Sequence, residues 1–328
     1  MNNPQSAAKA ILDSRRGAAG AFAARLSDNY PLLLLIGLLI IASISSRAFL
    51  THDNLFNLVS QLSVTGILVL AELIVVLVGG IDISVGSMLG LASVLCAGMF
   101  GGSSVWVAFF VAVATGATIG AVNGALIAFR GVAAFIVTLG MLALARGLVY
   151  AYTQGSPLTP ADPAFAIPGT SNVLGFPTIG LFWIAIIVMM AFVLRRTVFG
   201  RRVYAIGSSK VAAESSGVPV RWTTFLVFTI AGLLSGLAGF LLASRVGAGT
   251  PSAGVNNELD AIAAVVIGGA RLNGGYGKVS GAVIGTFIFG VITNLLVLMN
   301  VSTFLQEAFR EGLILVAVSV AASQVRRR

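Results

Sequence analysis

Few residues in this chain are equipped for chemistry, and their spacing builds no catalytic set. The nearest approach to a nucleotide site is GGYGKVS at Gly274–Ser280. A phosphate-binding loop needs glycine, four residues, then Gly-Lys-Ser/Thr, because backbone N–H groups and the lysine together cradle phosphates. Leu272 stands where the first glycine belongs and Val279 follows Lys278, so no nucleotide is expected there. One cysteine, Cys96, cannot form a disulfide framework or a Cys-based metal site within one chain. The single histidine, His52, lies beside Asp53 at a segment boundary and reads as an interfacial residue.

Charged groups inside apolar runs cost about 2.5–3.5 kcal/mol each to insert, and are functional candidates for that reason. Glu72 and Arg146 stand out. At the helical rise, Glu72 is about 9 Å from the C-terminal end of its run and Arg146 about 21 Å from the N-terminal end of its own. If those ends share one side of a membrane, the two cannot meet between straight helices. Each should face a polar cavity or another helix's backbone. Glu72 lacks the histidine or second acid that a proton relay would use. Glu307, Arg310 and Glu311 share a helical face and are expected to pair locally. Arg245, Glu258 and Asp260 are expected near the outer surface. For an uncharged solute, neutral polar side chains are the better lining: Asn57, Gln61 and Thr65, four apart, with Asn123, Thr138, Thr293 and Asn294 from other segments. Helix–helix hydrogen bonding is an equally good use for each.

The elements that must position these groups are membrane helices. The chain is 57% hydrophobic and 9% charged, with a mean hydropathy of +1.00, whereas soluble domains carry about 25% charged residues. Runs near 30–47, 57–78, 83–100, 105–129, 132–152, 178–195, 222–245, 258–269, 279–298 and 304–322 predict an all-α polytopic bundle of about ten membrane segments. The run 258–269 is too brief for a straight span and predicts a half-helix or re-entrant piece. If the N-terminal tail (1–29) is in the cytoplasm and all ten segments cross, all 20 basic residues except Arg47, Arg146, Arg245 and Arg310 fall inside. A short run that does not cross would put Arg326–Arg328 outside, which the charge rule disfavours. The positive-inside rule then places both termini in the cytoplasm. The net charge of +9 follows the membrane flanks rather than pointing to nucleic acid. The tail is polar for about thirty residues before any apolar run, unlike a cleaved signal peptide. Residues 30–328 form one expected domain.

The longest polar break after the first run, Arg195–Arg221, carries Arg195, Arg196, Arg201, Arg202, Lys210 and Arg221 and is expected on the cytoplasmic side. Glycines four apart (Gly116, Gly120, Gly124; Gly277, Gly281, Gly285) predict close helix crossings. IVVLVGGIDISVG (74–86) and AAVVIGGARLNGGYG (263–277) echo one another, each running apolar into Gly-Gly and then turning polar.

Four stretches carry a family likeness: GGIDISVGSMLGL (79–91), AAFIVTLGMLALARGL (133–148), FGRRVYAIGSSKVAAESSGV (199–218) and GVNNELDAIAAVVIGGARLNGGYGKVSGAVIGT (254–286). Together they resemble the permease subunits of bacterial ABC importers for ribose and related monosaccharides, through most of the chain from about residue 55. The resemblance implies an inner-membrane permease working as a homodimer or heterodimer in membrane lipid. A periplasmic solute-binding protein would dock outside. A separate ATPase would hold ATP and Mg inside, with no cofactor on this chain. The coupling segment, within about 196–221, maps to Ala205, Gly207, Ser208, Lys210, Ala212, Ala213, Glu214 and Gly217. Ser208–Lys210 and Glu214 depart from the usual residues there, as Arg271 does in its own motif. The motif glycines and acids are Gly79, Gly80, Asp82, Gly86, Asp260, Gly268, Gly269, Gly274 and Gly275. A branched-chain amino acid permease of related architecture is the alternative reading. An ion-coupled transporter using Glu72 or Asp82 leaves the polar break without a role.

Overall fold

A computed structural model describes residues 30–100 and 104–326; the expected tail 1–29 and the terminal Arg327 and Arg328 lie outside the described residues. The helices are α1 (Tyr30–Ser45), α2 (His52–Leu77), α3 (Val85–Gly98), α4 (Val105–Arg130), α5 (Ala134–Thr153), a short α6 (Ile167–Thr170), α7 (Thr178–Arg196), α8 (Val198–Ser208), α9 (Lys210–Ser215), α10 (Val220–Val246), α11 (Asn257–Ile267), α12 (Val279–Leu298) and α13 (Thr303–Arg326). Each expected segment contains a helix, but they differ in reach. Six of the described helices, α2, α4, α5, α7, α10 and α12, are long and apolar enough to cross a membrane. The apolar α1 and α3 have 16 and 14 residues, and α11 has 11, against the roughly 20 that a straight span requires.

Among the described residues the strands form a two-stranded ribbon in the loop after α5, β1 (Asn172–Val173) with β2 (Phe176–Pro177), antiparallel. Its two turn residues, Leu174 and Gly175, have φ of 52° and 80°, the positive pair that suits the twist of a tight hairpin.

The centre of the bundle is α2, buried along most of its length, with α10 beside it. Lipid tails give helices no hydrophobic reason to associate, so close backbone contact must hold them together. The first glycine ladder does this. A Cβ at Gly116 would collide with the Gly232 carbonyl, at Gly120 with the Phe228 carbonyl and at Gly124 with that of Phe225, so α4 and α10 cross backbone to backbone. The second ladder seats α12 on α11: Gly281 against the Gly268 carbonyl and Gly285 against that of Ala264. Outward faces of α4, α5 and α7 leave Phe110, Leu144 and Val188 exposed, as lipid-facing surfaces do.

The echo between 74–86 and 263–277 is real in the backbone, but shifted by one residue. In α2, Gly79 N–H donates to the Val76 carbonyl (2.9 Å) and Gly80 N–H to that of Val75 (3.0 Å). In α11, Gly269 N–H donates to Val266 (2.9 Å) and Ala270 N–H to Val265 (3.1 Å). Gly79 and Gly269, with φ of 80° and 88°, are the equivalent left-handed caps.

Candidate functional site

The polar break folds into α8 and α9, each opened by a side-chain cap. Thr197 Oγ1 accepts from Gly200 N–H at 3.2 Å and Ser209 Oγ from Ala212 N–H at 3.3 Å. At the far end of α9, Gly217 (φ 75°) reverses the chain, and Val218 N–H reaches back to the Ala213 carbonyl at 3.0 Å. Ile206, Ala213 and Val220 form a small apolar cluster that fastens the pair to the bundle. What remains outward is Ser208, Lys210, Val211, Ala212 and Glu214, with Val211 75% exposed. The eight expected coupling residues thus divide. Ser208, Lys210, Ala212 and Glu214 form an accessible face, Ala205 and Gly207 turn half-buried toward the body, Ala213 is core, and Gly217 is the exposed reversal.

Behind that face is a three-way glycine junction. Gly275 N–H donates to the last carbonyl of α2, Leu77 O, at 3.0 Å. A Cβ on Gly207 would strike both partners of that bond, and one on Gly274 would strike Gly79 and Gly207. Gly274 and Gly275 both have positive φ, 88° and 72°. Tyr204 Oη donates to the Gly277 carbonyl at 2.8 Å, and the Arg271 guanidinium stacks over Tyr276 at 4.7 Å. Helix α8, the end of α2 and the 271–277 turn therefore share one contact with no side chains between them. A push on α8 reaches α2 directly.

A buried polar knot ties the α2–α3 break just beyond the junction. Asp82 N–H donates to Glu72 Oε1 (3.3 Å), while Asp82 Oδ1 accepts from Ser84 N–H (2.8 Å) and Ser84 Oγ (2.5 Å). Asn123 Nδ2 from α4 donates to Ser84 Oγ (3.0 Å), and Thr138 Oγ1 from α5 to the Ile81 carbonyl (3.4 Å). Glu72, Asp82, Asn123 and Thr138 are all 0% exposed. In this structure Glu72, Asn123 and Thr138, expected along a path, are gathered at the helix break: Glu72 and Thr138 satisfy backbone groups that a break in a membrane helix frees, and Asn123 holds Ser84. Glu72 Oε2, Asp82 Oδ2 and Asn123 Oδ1 have no hydrogen-bond partner among the described residues. Glu72→Gln keeps the acceptor for Asp82 N–H at nearly the same volume, so uptake and thermal midpoint should stay near wild type. Glu72→Ala should lose about 1–3 kcal/mol. If Gln proves as damaging as Ala in thermal unfolding and uptake, an ionised carboxylate is required and the knot is not merely structural.

The neutral stripe lies elsewhere. Asn57 and Gln61 are exposed and Thr65 half-buried, the polar edge of an otherwise buried α2. Asn294 is taken up by a reciprocal amide pair with Asn54 (2.8 and 3.1 Å), and Thr293 beside it is half-buried. Asn54 was not singled out in the sequence, although it precedes Asn57 by three on the same face.

The charges expected near the outer surface also rearrange. Arg310 pairs with Asp260 at 3.4 Å rather than with Glu307 or Glu311. Glu258 and Asp260 are buried, at 9% and 8% exposure, and are not a solvated rim, because the chain before α11 turns back into the bundle. A Cβ on Gly86 would strike the Gly254 carbonyl as well as the Glu258 carboxylate, and the backbone atom cannot rotate aside, so Gly86 is required by contact. Glu72 and Arg146 do not pair; Arg146 reaches the Pro251 and Ala253 carbonyls.

With this geometry in hand, comparison with known proteins is specific. Residues 54–318 match a family model described as "Branched-chain amino acid transport system / permease component". The chain is 40% identical to the ribose import permease protein RbsC of Escherichia coli (strain K12) over 90% of its length and 94% of the relative's. It is 41% identical to the protein of the same name from Bacillus subtilis (strain 168), covering 88% and 90%. With the xylose transport system permease protein XylH of Escherichia coli (strain K12), identity is 34% over 94% and 96%. No solved structure matches. The chain belongs to this family of ABC-importer permeases, as a multi-pass membrane protein.

Proposed function

We propose that the chain is the translocating subunit of an ABC importer for a monosaccharide of the pentose or hexose class. One observation carries the substrate class: the relatives at 34–41% identity across about nine-tenths of the chain are permeases named for ribose and xylose. The D-allose transport system permease protein AlsC of Escherichia coli (strain K12) joins them at 34% identity over 89% of the chain and 91% of the relative's length. The family model's label mentions branched-chain amino acids, but the exposed Asn57 and Gln61 with the half-buried Thr65 offer amides and a hydroxyl, suited to sugar hydroxyls rather than to a zwitterion.

In this reading the protein sits in the bacterial inner membrane with about ten segments and both termini cytoplasmic, as its basic residues favour. A separate ATPase subunit, holding ATP and Mg, docks on the Ser208–Glu214 face. A periplasmic binding protein delivers the sugar from outside, and a second permease copy completes the pore. In liposomes with matched ATPase and binding protein, ribose uptake should require ATP and persist with an uncoupler. Uptake that continues without ATP and collapses with the ion gradient would sink this reading.

A further inference from the structure

After α10 the chain does not remain at the bundle's outer end. It runs back along α3, position by position. Gly249 lies against the backbone of Ser93 and Val94 and the methyl of Ala97, the Ala253 carbonyl against Gly90, and Gly254 on the Gly86 carbonyl. From Ala97 to Gly86 is about 16 Å of helix, roughly half of a ~30 Å hydrocarbon core. Segment 247–256 is thus non-helical backbone at membrane depth, with Gly247, Gly254 and Asn256 at φ of 73°, 74° and 64°.

Backbone of this kind persists in a membrane only where protein or water satisfies its polar groups. Near the outer end, Gly249 exchanges two hydrogen bonds with Leu158, both 2.9 Å. Deeper, one nitrogen serves two carbonyls: Arg146 Nη1 donates to Pro251 O at 3.2 Å and Ala253 O at 2.9 Å. Arg146 comes from α5, whose outward face exposes Leu144 and Leu148, so a charge has been brought inward from a lipid-facing helix. The same nitrogen lies 3.3 Å from where a Cβ on Gly90 would stand, while Glu258 covers Gly86. Gly86 and Gly90 are four residues apart, so both charges lie on one face of α3. Glu258 Oε2 is buried with no hydrogen-bond partner among the described residues.

We propose that Arg146 is a positioning residue of the transport cycle, pinning the re-entrant segment 247–256 into the Gly86–Gly90 groove of α3 with Glu258 as its counter-charge. The consequence for transport rests on the permease reading; the pinning stands on the geometry alone.

The test places a reporter cysteine at Ala253, 7% exposed, in a Cys96→Ala background, with Leu174→Cys on the fully exposed ribbon turn as the insertion control. A membrane-impermeant maleimide is added from outside to the full chain in proteoliposomes. With Arg146 intact, Ala253→Cys should be protected. Arg146→Met should label about tenfold faster or more, the factor that losing a charge-assisted hydrogen bond opens. Arg146→Lys, whose ammonium can also serve two carbonyls, should restore protection and part of the ATP-driven uptake. If Arg146→Met does not insert, as the Leu174 control would reveal, Arg146→Gln supplies the comparison with Arg146→Lys. Equal labelling with Arg146 and with the uncharged variant overturns the pinning, as does equal labelling of the Lys and uncharged variants. Uptake that ignores ATP with Arg146 intact overturns the importer reading and leaves the labelling result standing.

Discussion

Gly207→Leu leaves the protein in the membrane and lets the ATPase turn over, while sugar uptake falls by tenfold or more. The reason is local. Gly207 sits on the Leu77 carbonyl and the Gly275 N–H, the two partners of the bond joining α2 to the 271–277 turn. Both are main-chain atoms and cannot rotate aside, so α8 must lift off the end of α2. Overpacking of this kind costs about 1–3 kcal/mol, small against a whole bundle but placed where motion would be passed inward. Gly207→Ala should show the same defect in weaker form. Gly217 separates sterics from conformation: nothing lies within 4 Å of its missing Cβ, yet its φ is 75°. Gly217→Asn should therefore be tolerated and Gly217→Val should not, since left-handed backbone costs most side chains about 1–2 kcal/mol. The measurement is ATP hydrolysed per sugar imported in proteoliposomes. An unchanged ratio in Gly207→Leu would remove the junction from the coupling route.

Gly232→Leu fails earlier, at assembly. Gly232 and Gly116 approach so closely that a Cβ on either meets the other's carbonyl, and Gly236 and Gly120 complete the crossing. This seam joins α4 to α10, and α10 in turn packs on α2 and α3. Separating it should cost about 3 kcal/mol or more, the upper range for overpacking where neither backbone can yield. The expected result is loss of the folded, detergent-extractable protein in size-exclusion chromatography. Gly140 supplies the contrast: it is a helical glycine in α5 with nothing within 4 Å of its Cβ position. Gly140→Leu should be neutral or raise the thermal midpoint, because a helix-interior glycine costs about 1 kcal/mol relative to a good helix former. If the two variants behave alike, close glycine packing is not what holds the bundle.

Much of this protein was legible as one-dimensional pattern. Apolar run length located a helix in each of the ten expected segments, because a backbone in lipid must bond within its own segment, whereas the short α6, α8 and α9 lie outside those runs. Four-residue glycine spacing located both crossings, because a helix repeats its face at that interval. The Arg195–Arg221 break declared itself polar, and the family motifs were visible as written. The caps went unread, although Thr197 and Ser209 stand immediately before α8 and α9.

What the pattern did not contain was which polar groups meet. Glu72, Asn123 and Thr138 lie in three different segments, and nothing in their spacing says that one helix break would gather all three. Asp260 and Arg310 are fifty residues apart in sequence, yet they form an ion pair. Arg310's sequence neighbours at helical spacing, Glu307 and Glu311, were the natural expectation. The burial of Glu258 and Asp260 was missed because hydropathy counts residues along a helix, whereas 247–256 is a run of turns folded back along α3. Even the Gly-Gly echo shifted by one, because the cap is fixed by which glycine takes positive φ and not by which letters align. Sequence therefore determined what each segment is, since local hydrogen bonding and transfer energy act along the chain. Tertiary structure decided which polar atoms are spent on holding the fold and which face outward, since buried polar groups are satisfied by neighbours in space.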